Sequence, residues 1–388
     1  MSPELRSPRS GQQYRRRPTW TRCSPLPGIF LLLSLFFSLL PAPHLVQAAH
    51  GVLPEGSYAA RQSIDPPQPF SGKLPSFRLE HLSIDDGLSN DNITAILQDH
   101  EGYLWFGTGE GLNRYDGYHF TVYRHDPDNP DSLLDSTVTA LYEDSRGNLW
   151  VGTRRGLDRF VRSTAAFVHY RPNTNDPNSL SGAAVSAILE DEQGYLWVGT
   201  RDGGLNRLDP STKQFQRFLH DPGDPASVGD NTIQALYLDE EGILWVGTAG
   251  AGLNSYNPQT REFTRYPFRA GEPGSLGFSS VTAITADRSG RLWVGTSGGG
   301  LARLDSTGGS FTVFRSSDDF TSLPDNRVQA LLTDALGRLW VGTQNGMAIW
   351  NQDHVDWYFQ RDIADPNALR SSWINTLYED RSGTVWIG

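Results

Sequence analysis

Short apolar and polar runs alternate along most of the chain, and the same arrangement recurs with one period. Residues 138–142 alternate in the manner of a half-buried strand. Asp144-Ser-Arg-Gly147 follows as a tight turn, because Asp can cap the backbone and Gly accepts a positive φ. Further strands are predicted at 149–151, 156–159 and 167–170. Each period therefore contains four short antiparallel strands and no helix.

The period is marked by tryptophan, which returns every 45 to 48 residues in one frame. A hydrophobic residue and Gly follow each of these Trp residues, and an Asp stands six residues before each. The seven Trp residues are Trp105, Trp150, Trp197, Trp245, Trp293, Trp340 and Trp386. The seven Asp residues are Asp99, Asp144, Asp191, Asp239, Asp287, Asp334 and Asp380.

Four strands in a period of this length are typical of a β-propeller blade. One small sheet cannot bury both of its faces, so the blades must stack radially and cover one another. We therefore predict an all-β fold, a seven-bladed propeller with four antiparallel strands per blade. The repeated Trp residues and the fourth-strand aromatics are expected to pack between blades. Those aromatics are Phe120, Phe167, Phe215, Phe263 and Phe311.

The ring is expected to close with a strand from before the first repeat. Residues 77–81 match a fourth strand that has no blade of its own in front of it. In a ring, this strand completes the seventh blade. Residues up to Gly388 supply the first two strands of that blade, so we expect its third strand to be missing and the sequence to be truncated there.

The N-terminal 48 residues differ in charge from the rest of the chain. They hold six Arg and one acidic residue, whereas the remaining residues carry 27 basic and 43 acidic groups. A basic stretch, an apolar run at 29–40 and small residues up to Ala48 predict a signal peptide at 1–48 and hence an exported protein. An uncleaved anchor is the alternative. Residues 49–76, rich in Pro, Gly and Ser, are predicted to be a flexible lead-in.

Composition excludes several function classes. A net charge of −11 argues against a nucleic-acid binder that depends on phosphate contacts. The single cysteine, Cys23, lies in the predicted signal peptide, so the mature chain would have no thiol for catalysis, disulfides or metal binding. The His residues show no metal-ligand spacing. We therefore predict no catalytic residue, no metal and no cofactor.

The repeat V-x-A-L-x-E-D-x-x-G-x-L-W-V-G-T-x-x-G-L-x-R resembles that of the two-component regulator propellers, over residues 77–388. Residues 79–90 resemble the usual start of such a domain. The resemblance implies the periplasmic, extracytoplasmic sensor of a receptor in the bacterial inner membrane, anchored by a C-terminal span beyond this sequence and paired as a homodimer. The implied output is a histidine kinase or, less often, a diguanylate cyclase. Ligands in this family are frequently oligosaccharides.

A ligand site must break the symmetry of the repeat, and two sets of positions do so. The pairs after Gly-Thr and the residues that begin each first strand vary between repeats, and in a propeller they reach the same face. The resulting candidates for ligand binding are Arg154, Arg155, Arg201, Asp202, Arg327, Gln344, Asn345 and Trp373. Arginine forks suit an anionic group, and Trp373 could stack on a sugar ring. The alternative is that these positions are solvated loop residues.

Two other functions compete with sensing. Propellers include sialidases, but the Asp-x-x-Gly turn differs by one residue from the sialidase Asp-box, and adjacent acids such as Asp85 and Asp86 point to opposite faces of a strand. No nucleotide-binding, hydrolase or kinase motif is present. A secreted scaffold that binds another protein through the same face remains the third interpretation.

Overall fold

The computed structural model describes residues 21–25, 77–305, 309–319, 321–351, 353–362, 364–365 and 368–388. These residues form seven antiparallel four-stranded sheets, so the predicted seven-bladed propeller is confirmed. We number the blades from the one that begins at Ile93. Among the described residues there is one 3-10 helix, Ile84–Asp86, and no helix with the length and apolar character needed to span a membrane.

The strands of blades 1 to 6 follow chain order from the innermost to the outermost strand. In blades 1 to 3 they are Ile93–Gln98, Leu104–Thr108, Gly111–Tyr115 and Phe120–Tyr123; Val138–Glu143, Leu149–Thr153, Leu157–Val161 and Ala166–Tyr170; and Val185–Glu190, Leu196–Thr200, Leu205–Asp209 and Gln214–Phe218. In blades 4 to 6 they are Ile233–Leu238, Leu244–Thr248, Leu253–Asn257 and Glu262–Tyr266; Val281–Ala286, Leu292–Thr296, Leu301–Leu304 and Phe311–Phe314; and Val328–Thr333, Leu339–Thr343, Gly346–Asn351 and His354–Phe359.

Blade 7 combines strands from both parts of the chain. Its order from the inside is Leu377–Glu379, Val385–Ile387, Thr21–Pro25 and Phe77–Glu80. The predicted closing strand at 77–81 is thus confirmed, one residue shorter. The third position, which we expected to be missing, is taken by residues of the predicted signal peptide, paired antiparallel with the second strand. An unpaired strand edge exposes backbone donors and acceptors, which this pairing satisfies.

The rest of the predicted signal peptide and the predicted lead-in at 49–76 lie outside the described residues, and both stay predictions. The ring itself is closed by contacts between blades 7 and 1. Asn375 Nδ2 donates to the carbonyl of Ile93 at 3.1 Å, and the rings of Trp386 and Phe106 lie 5.6 Å apart.

The repeated Trp residues form the predicted layer between blades. Trp105 of blade 1 packs edge-on against Phe160 of blade 2 at 5.2 Å, and Trp197 of blade 3 packs against Tyr256 of blade 4 at the same distance. The second strand of blades 1 to 6 is buried at all five positions. Neighbouring blades cover both of its faces, which explains why this strand is buried at every position and does not alternate between apolar and polar residues.

The Gly after each Trp makes close contact between blades possible. A Cβ on Gly199 would lie 2.6 Å from Cγ2 of Ile233, which begins the next blade, so a larger residue does not fit. The same notch against a β-branched residue recurs around the ring. Its seven pairs are Gly107–Val138, Gly152–Val185, Gly199–Ile233, Gly247–Val281, Gly295–Val328, Gly342–Ile374 and Gly388–Ile93.

Each Asp six residues before a Trp accepts hydrogen bonds from two groups, its own turn and the Trp indole. In blade 4, Oδ1 of Asp239 accepts the turn amides of Glu241 and Ile243 at 3.0 and 2.9 Å. Oδ2 accepts the indole N–H of Trp245 at 2.7 Å. The indole bond recurs in all seven blades at 2.7 to 2.9 Å. The sequence predicted the capped turn but not the indole bond, which fixes the Trp ring relative to the turn.

Replacing Asp239 with Ala should lower the free energy of unfolding by about 2–4 kcal/mol, because the indole and two amides lose their acceptor at a half-buried position. Urea unfolding of the chain measures the change. The neighbouring exposed Glu240 is the matched control, and Glu240→Ala should change stability by no more than about 0.5 kcal/mol. Equal effects of the two substitutions would show that the turn carboxylate is dispensable.

Candidate functional site

The strand order gives the propeller two different faces. The loops that join second to third strands and those that join one blade to the next emerge together, and we call this side the funnel face. The Asp-x-x-Gly turns and the links from third to fourth strands form the other side, the turn face. All eight predicted ligand-binding residues lie on the funnel face, as expected from the topology.

Blades 2 and 3 carry the first group of predicted residues. Arg154, Arg155 and Arg201 are exposed, and Nε of Arg155 lies 3.4 Å from a carboxylate oxygen of Asp135. The side chains of Arg154 and Arg201 form no ion pair with any residue that the structure describes. Asp202 stabilises a loop of its own blade. Its carboxylate accepts the backbone N–H groups of Ala183 and Ala184, just before the first strand of blade 3, both at 3.2 Å.

Blades 6 and 7 carry the second group. The backbone N–H of Gln344 donates to the backbone carbonyl of Arg327 at 3.1 Å, and the backbone N–H of Ile374 donates to the backbone carbonyl of Thr343 at 3.0 Å. These bonds place Trp373, at 52% exposure, next to the loop that contains Gln344 and the exposed Asn345. Four of the predicted residues are thus neighbours, although they come from two blades.

Arg327 is less available than the sequence indicated. Its guanidinium makes a two-point contact with Asp325, at 2.9 Å from Nε and 2.7 Å from the second nitrogen. This contact holds the pKa of Asp325 below its ordinary value. An anionic ligand would have to displace a carboxylate already in place, so Arg154 and Arg201 are the better anion-binding candidates.

Sequence reasoning missed an aromatic pair on the same face. Phe278, at 40% exposure, lies in the loop before blade 5 with its ring 6.2 Å from that of Phe268. A Cβ on Gly298 would touch the Phe278 ring at 3.8 Å, so the glycines after Gly-Thr in blade 5 leave this ring uncovered. The signal was present in the repeat, because the other blades have Asn, Asp, Gly or Ser at the position of Phe278.

The loops of the funnel face are held by side chains from the fourth strand. In blades 3 and 4 this side chain is an arginine: Nε of Arg217 donates to the carbonyl of Ser179, and Nε of Arg265 to that of Ser227, both at 2.9 Å. In blade 2 it is His169, whose Nε2 lies 2.8 Å from the carbonyl of Pro130.

His169 is held in turn by a buried carboxylate. Its Nδ1 lies 2.5 Å from Oδ1 of Asp158, while Oδ2 of Asp158 accepts the amide of Leu134 at 2.9 Å. The hydrogen bond to Asp158 raises the pKa of His169 above its ordinary value. Asn stands at this position in blades 1, 3 and 4, so the ionisable pair is particular to blade 2. This pair was not predicted from the sequence.

No group of three or more His, Cys, Asp or Glu side chains in the described part of the chain is arranged to hold a metal ion. The funnel face presents arginines, amide side chains and exposed aromatic rings to solvent.

The family model described as "Two component regulator propeller" matches seven segments, one per blade. They are residues 87–110, 132–155, 179–202, 227–250, 275–298, 322–345 and 368–388. The chain belongs to the two component regulator propeller family. The resemblance seen in the repeat is thus confirmed.

Among solved structures, this propeller is similar to the extracellular domain of what is described as a hybrid two component system from B. thetaiotaomicron. The two are 26% identical with a TM-score of 0.68, over 80% of this chain and 40% of that one. A virginiamycin B lyase from Staphylococcus aureus, 15% identical with a TM-score of 0.55, covers 76% of this chain and 94% of its own. That likeness shows the fold alone.

Among curated proteins, a stretch of 48 residues is 46% identical to Histidine kinase P4 of Formosa agariphila, which is 12% of this chain and 4% of that protein. The propeller thus spans less than half of that extracellular domain, and the matched stretch is a small part of the kinase. Similarity to an extracellular domain supports an extracytoplasmic place for this propeller.

His169 connects Asp158 to the carbonyl of Pro130, and we call this arrangement the His169 clamp. It should make the loop at residues 126–134 sensitive to pH. Its contribution to stability is fully present below the ordinary histidine pKa of about 6.5 and is lost as pH rises through the higher pKa of the folded state. Asp158 and Arg171 are the charged groups that act on it. Between about pH 6 and pH 9, hydrogen exchange in residues 126–134, corrected for intrinsic rates, should increase.

The arginine-clamped loops at 176–180 and 224–228 are internal controls and should not change. In His169→Arg, which gives blade 2 the clamp of blades 3 and 4, the pH dependence should disappear. A loop in blade 2 that responds to pH no more than its two controls would contradict this role of His169.

Proposed function

We propose that this chain is the ligand-sensing propeller of a bacterial two-component receptor and that it binds its ligand on the funnel face. The observation that carries the proposal is the asymmetry of that face. The turn face repeats one Asp–Trp arrangement seven times, whereas the funnel face presents a different set of side chains in each blade. A surface with an architectural role alone has no need of such variation.

The exposed aromatic residues favour a carbohydrate ligand. Trp373 and Phe278 each present a ring to solvent, and flat apolar rings stack on the faces of sugars. Gln344 and Asn345 lie beside Trp373 and offer amide donors and acceptors for hydroxyl groups. Arg154 and Arg201, which have no carboxylate partner among the described residues, suit an acidic sugar or another anionic group.

The receptor would transmit binding as a shift between two arrangements of paired subunits. Ligand must prefer one arrangement, because equal affinity for both moves no equilibrium. On this proposal the propeller lies on the periplasmic side of the inner membrane, in a homodimer whose output is a histidine kinase. Support for the kinase comes from the short match to Histidine kinase P4 and from the two component system. A diguanylate cyclase output is the alternative.

A panel of neutral and uronic-acid-containing oligosaccharides, tested by calorimetry against the chain, examines the proposal. Trp373→Ala should weaken binding of any sugar that the chain recognises by about tenfold or more, as expected for an aromatic anchor. Tyr118→Ala is the matched control, because Tyr118 is 85% exposed but lies on the turn face.

Equal effects of the two substitutions would exclude a site at Trp373. If no oligosaccharide binds but a protein partner is lost in Trp373→Ala, the secreted-scaffold function replaces the sensor.

A further inference from the structure

A cleft of about 450 Å³ opens on the turn face between blades 3 and 4, and we call it the 3–4 cleft. Blade 3 lines it with Arg207 of its third strand and with the turn that contains Asp191 and Tyr195. Blade 4 lines it with Tyr256 and with the link that contains Arg261. The cleft lies on the opposite side of the ring from the funnel face and is independent of the function proposed for that face.

Aromatic rings hold the half-buried guanidinium group of Arg207 in the cleft. Its carbon lies 4.5 Å from the ring centre of Tyr195 and 5.6 Å from that of Trp197, which is its partner across the two strands. In the part of the chain that the structure describes, the group makes one hydrogen bond, to Oε1 of Gln216 at 3.0 Å. A guanidinium has five N–H donors, so donors of Arg207 remain for a ligand.

Arg303 holds the position of Arg207 in blade 5 and shows what a guanidinium in this place binds. It pairs with Trp293 across the strands and lies 5.7 Å from that ring centre. Its Nε donates to Asp305 of its own blade at 3.0 Å, and a second nitrogen donates to Asp353 of blade 6 at 2.6 Å. A carboxylate from the neighbouring blade thus reaches this arginine across the interface.

Blade 4 has an arginine in the place of that aspartate. Asp353 stands directly before the fourth strand of blade 6, and Arg261 stands directly before the fourth strand of blade 4. Asp209, two residues after Arg207, is engaged elsewhere, because its Oδ1 accepts the backbone N–H and the hydroxyl of Ser211 at 2.8 and 2.6 Å. The neighbouring blade therefore brings a second positive charge to the cleft.

The two arginines of the 3–4 cleft are not neutralised by its acidic lining. Neither Arg207 nor Arg261 forms an ion pair with any residue that the structure describes. Asp191 lines the same cleft, but its two oxygens accept the backbone N–H of Tyr195 and the indole N–H of Trp197, both at 2.9 Å. Two guanidinium groups thus share one cleft without a carboxylate bonded to either.

We propose that the 3–4 cleft binds a carboxylate group whose carrier has no further negative charge. Arg207 holds this group as Arg303 holds the carboxylate of blade 6, and Arg261 adds a second positive charge. Glu192 and Glu241, both exposed in the lining, repel a ligand with two carboxylates and attract one with an ammonium group. The ligand is therefore a monocarboxylic acid or a zwitterion, either free or as an acidic side chain of a partner chain.

Butyrate is the first probe, and butyramide, its neutral analogue, is the matched control. At constant ionic strength, butyrate should shift the indole signal of Trp197 in nitrogen–proton NMR, because the carboxylate meets the guanidinium that lies over this ring. The signal of Trp105 in blade 1 should stay in place. Butyramide should bind about tenfold more weakly, as expected when a charge-assisted hydrogen bond is lost. No shift of Trp197, or equal binding of the two probes, would overturn the proposal.

Two further probes test the part of the exposed glutamates. Succinate, with a second carboxylate, should bind more weakly than butyrate, and 4-aminobutyrate, with an ammonium group, should bind at least as tightly. The reverse order would show that the cleft is a general anion site and would contradict the proposed ligand class.

The peptide N-acetyl-Gly-Asp-Gly-amide tests the source of the carboxylate. Tighter binding of the peptide than of 4-aminobutyrate would assign the cleft to an acidic residue of a partner chain. Binding of 4-aminobutyrate with weaker binding of the peptide would assign it to a free small molecule. Either outcome supports the carboxylate site.

Substitution of the two equivalent arginines tests the role of Arg207. Arg207→Met, which removes the charge and keeps a long side chain, should weaken butyrate binding by about tenfold or more. Arg114→Met is the matched control, because Arg114 holds the same position in blade 1 and lies 4.6 Å from the ring centre of Tyr103. Equal butyrate affinities in the two variants would contradict the proposal.

Substitution of Arg261 provides a test that leaves the packed side chain of Arg207 intact. Arg261→Asp gives blade 4 the carboxylate of blade 6, so Arg207 is engaged from within and butyrate binding should fall by about tenfold or more. Arg261→Asn is its control, because Asn and Asp both tolerate the φ of +63° at this position. It removes an exposed charge alone and should weaken binding by about two- to fivefold. Unchanged binding in Arg261→Asp would sink the proposal even if Arg207→Met failed to fold.

Discussion

The propeller depends on one carboxylate in each blade. Because the Asp of the tight turn accepts the indole N–H as well as the turn amides, the Trp ring has a fixed position when it meets the next blade. The layer between blades is then an ordered stack of aromatic rings rather than a loose apolar contact. A polar bond at the edge of the sheet thereby sets the geometry of the apolar core, which is how a ring of small sheets obtains a single packing arrangement.

The same arrangement divides the molecule into a constant side and a variable side. Every blade must reproduce the turn and its Trp, so the turn face has little freedom to change. The loops of the funnel face are tied by a few side chains, such as Arg217, Arg265 and His169, and their exposed positions can vary without disturbing the core. Recognition can therefore diverge between members of the family while the ring stays the same.

The architecture could be predicted from the sequence because a large residue, Trp, recurs once in each repeat. Trp and Gly repeat wherever blades touch, and their spacing gives the number of blades directly. The candidate site was predicted less completely. Position in the repeat identified Trp373, but not that Asp325 would engage Arg327 or that small neighbours would uncover Phe278. Such contacts depend on the conformations that individual side chains adopt, which the pattern does not record even where the partners, such as Asp325 and Arg327, stand two residues apart.

The glycine notches between blades also have a mechanical meaning. Residues along a strand repeat about every 3.3 Å, so sliding one blade past the next by a single step would drive a branched side chain out of its notch and against a bulkier neighbour. Each of the seven blade interfaces contains such a notch, so each interface resists sliding. A force applied to one blade is then transmitted through the interfaces to blade 7, where N-terminal and C-terminal strands pair. The propeller would move as a rigid body rather than bend.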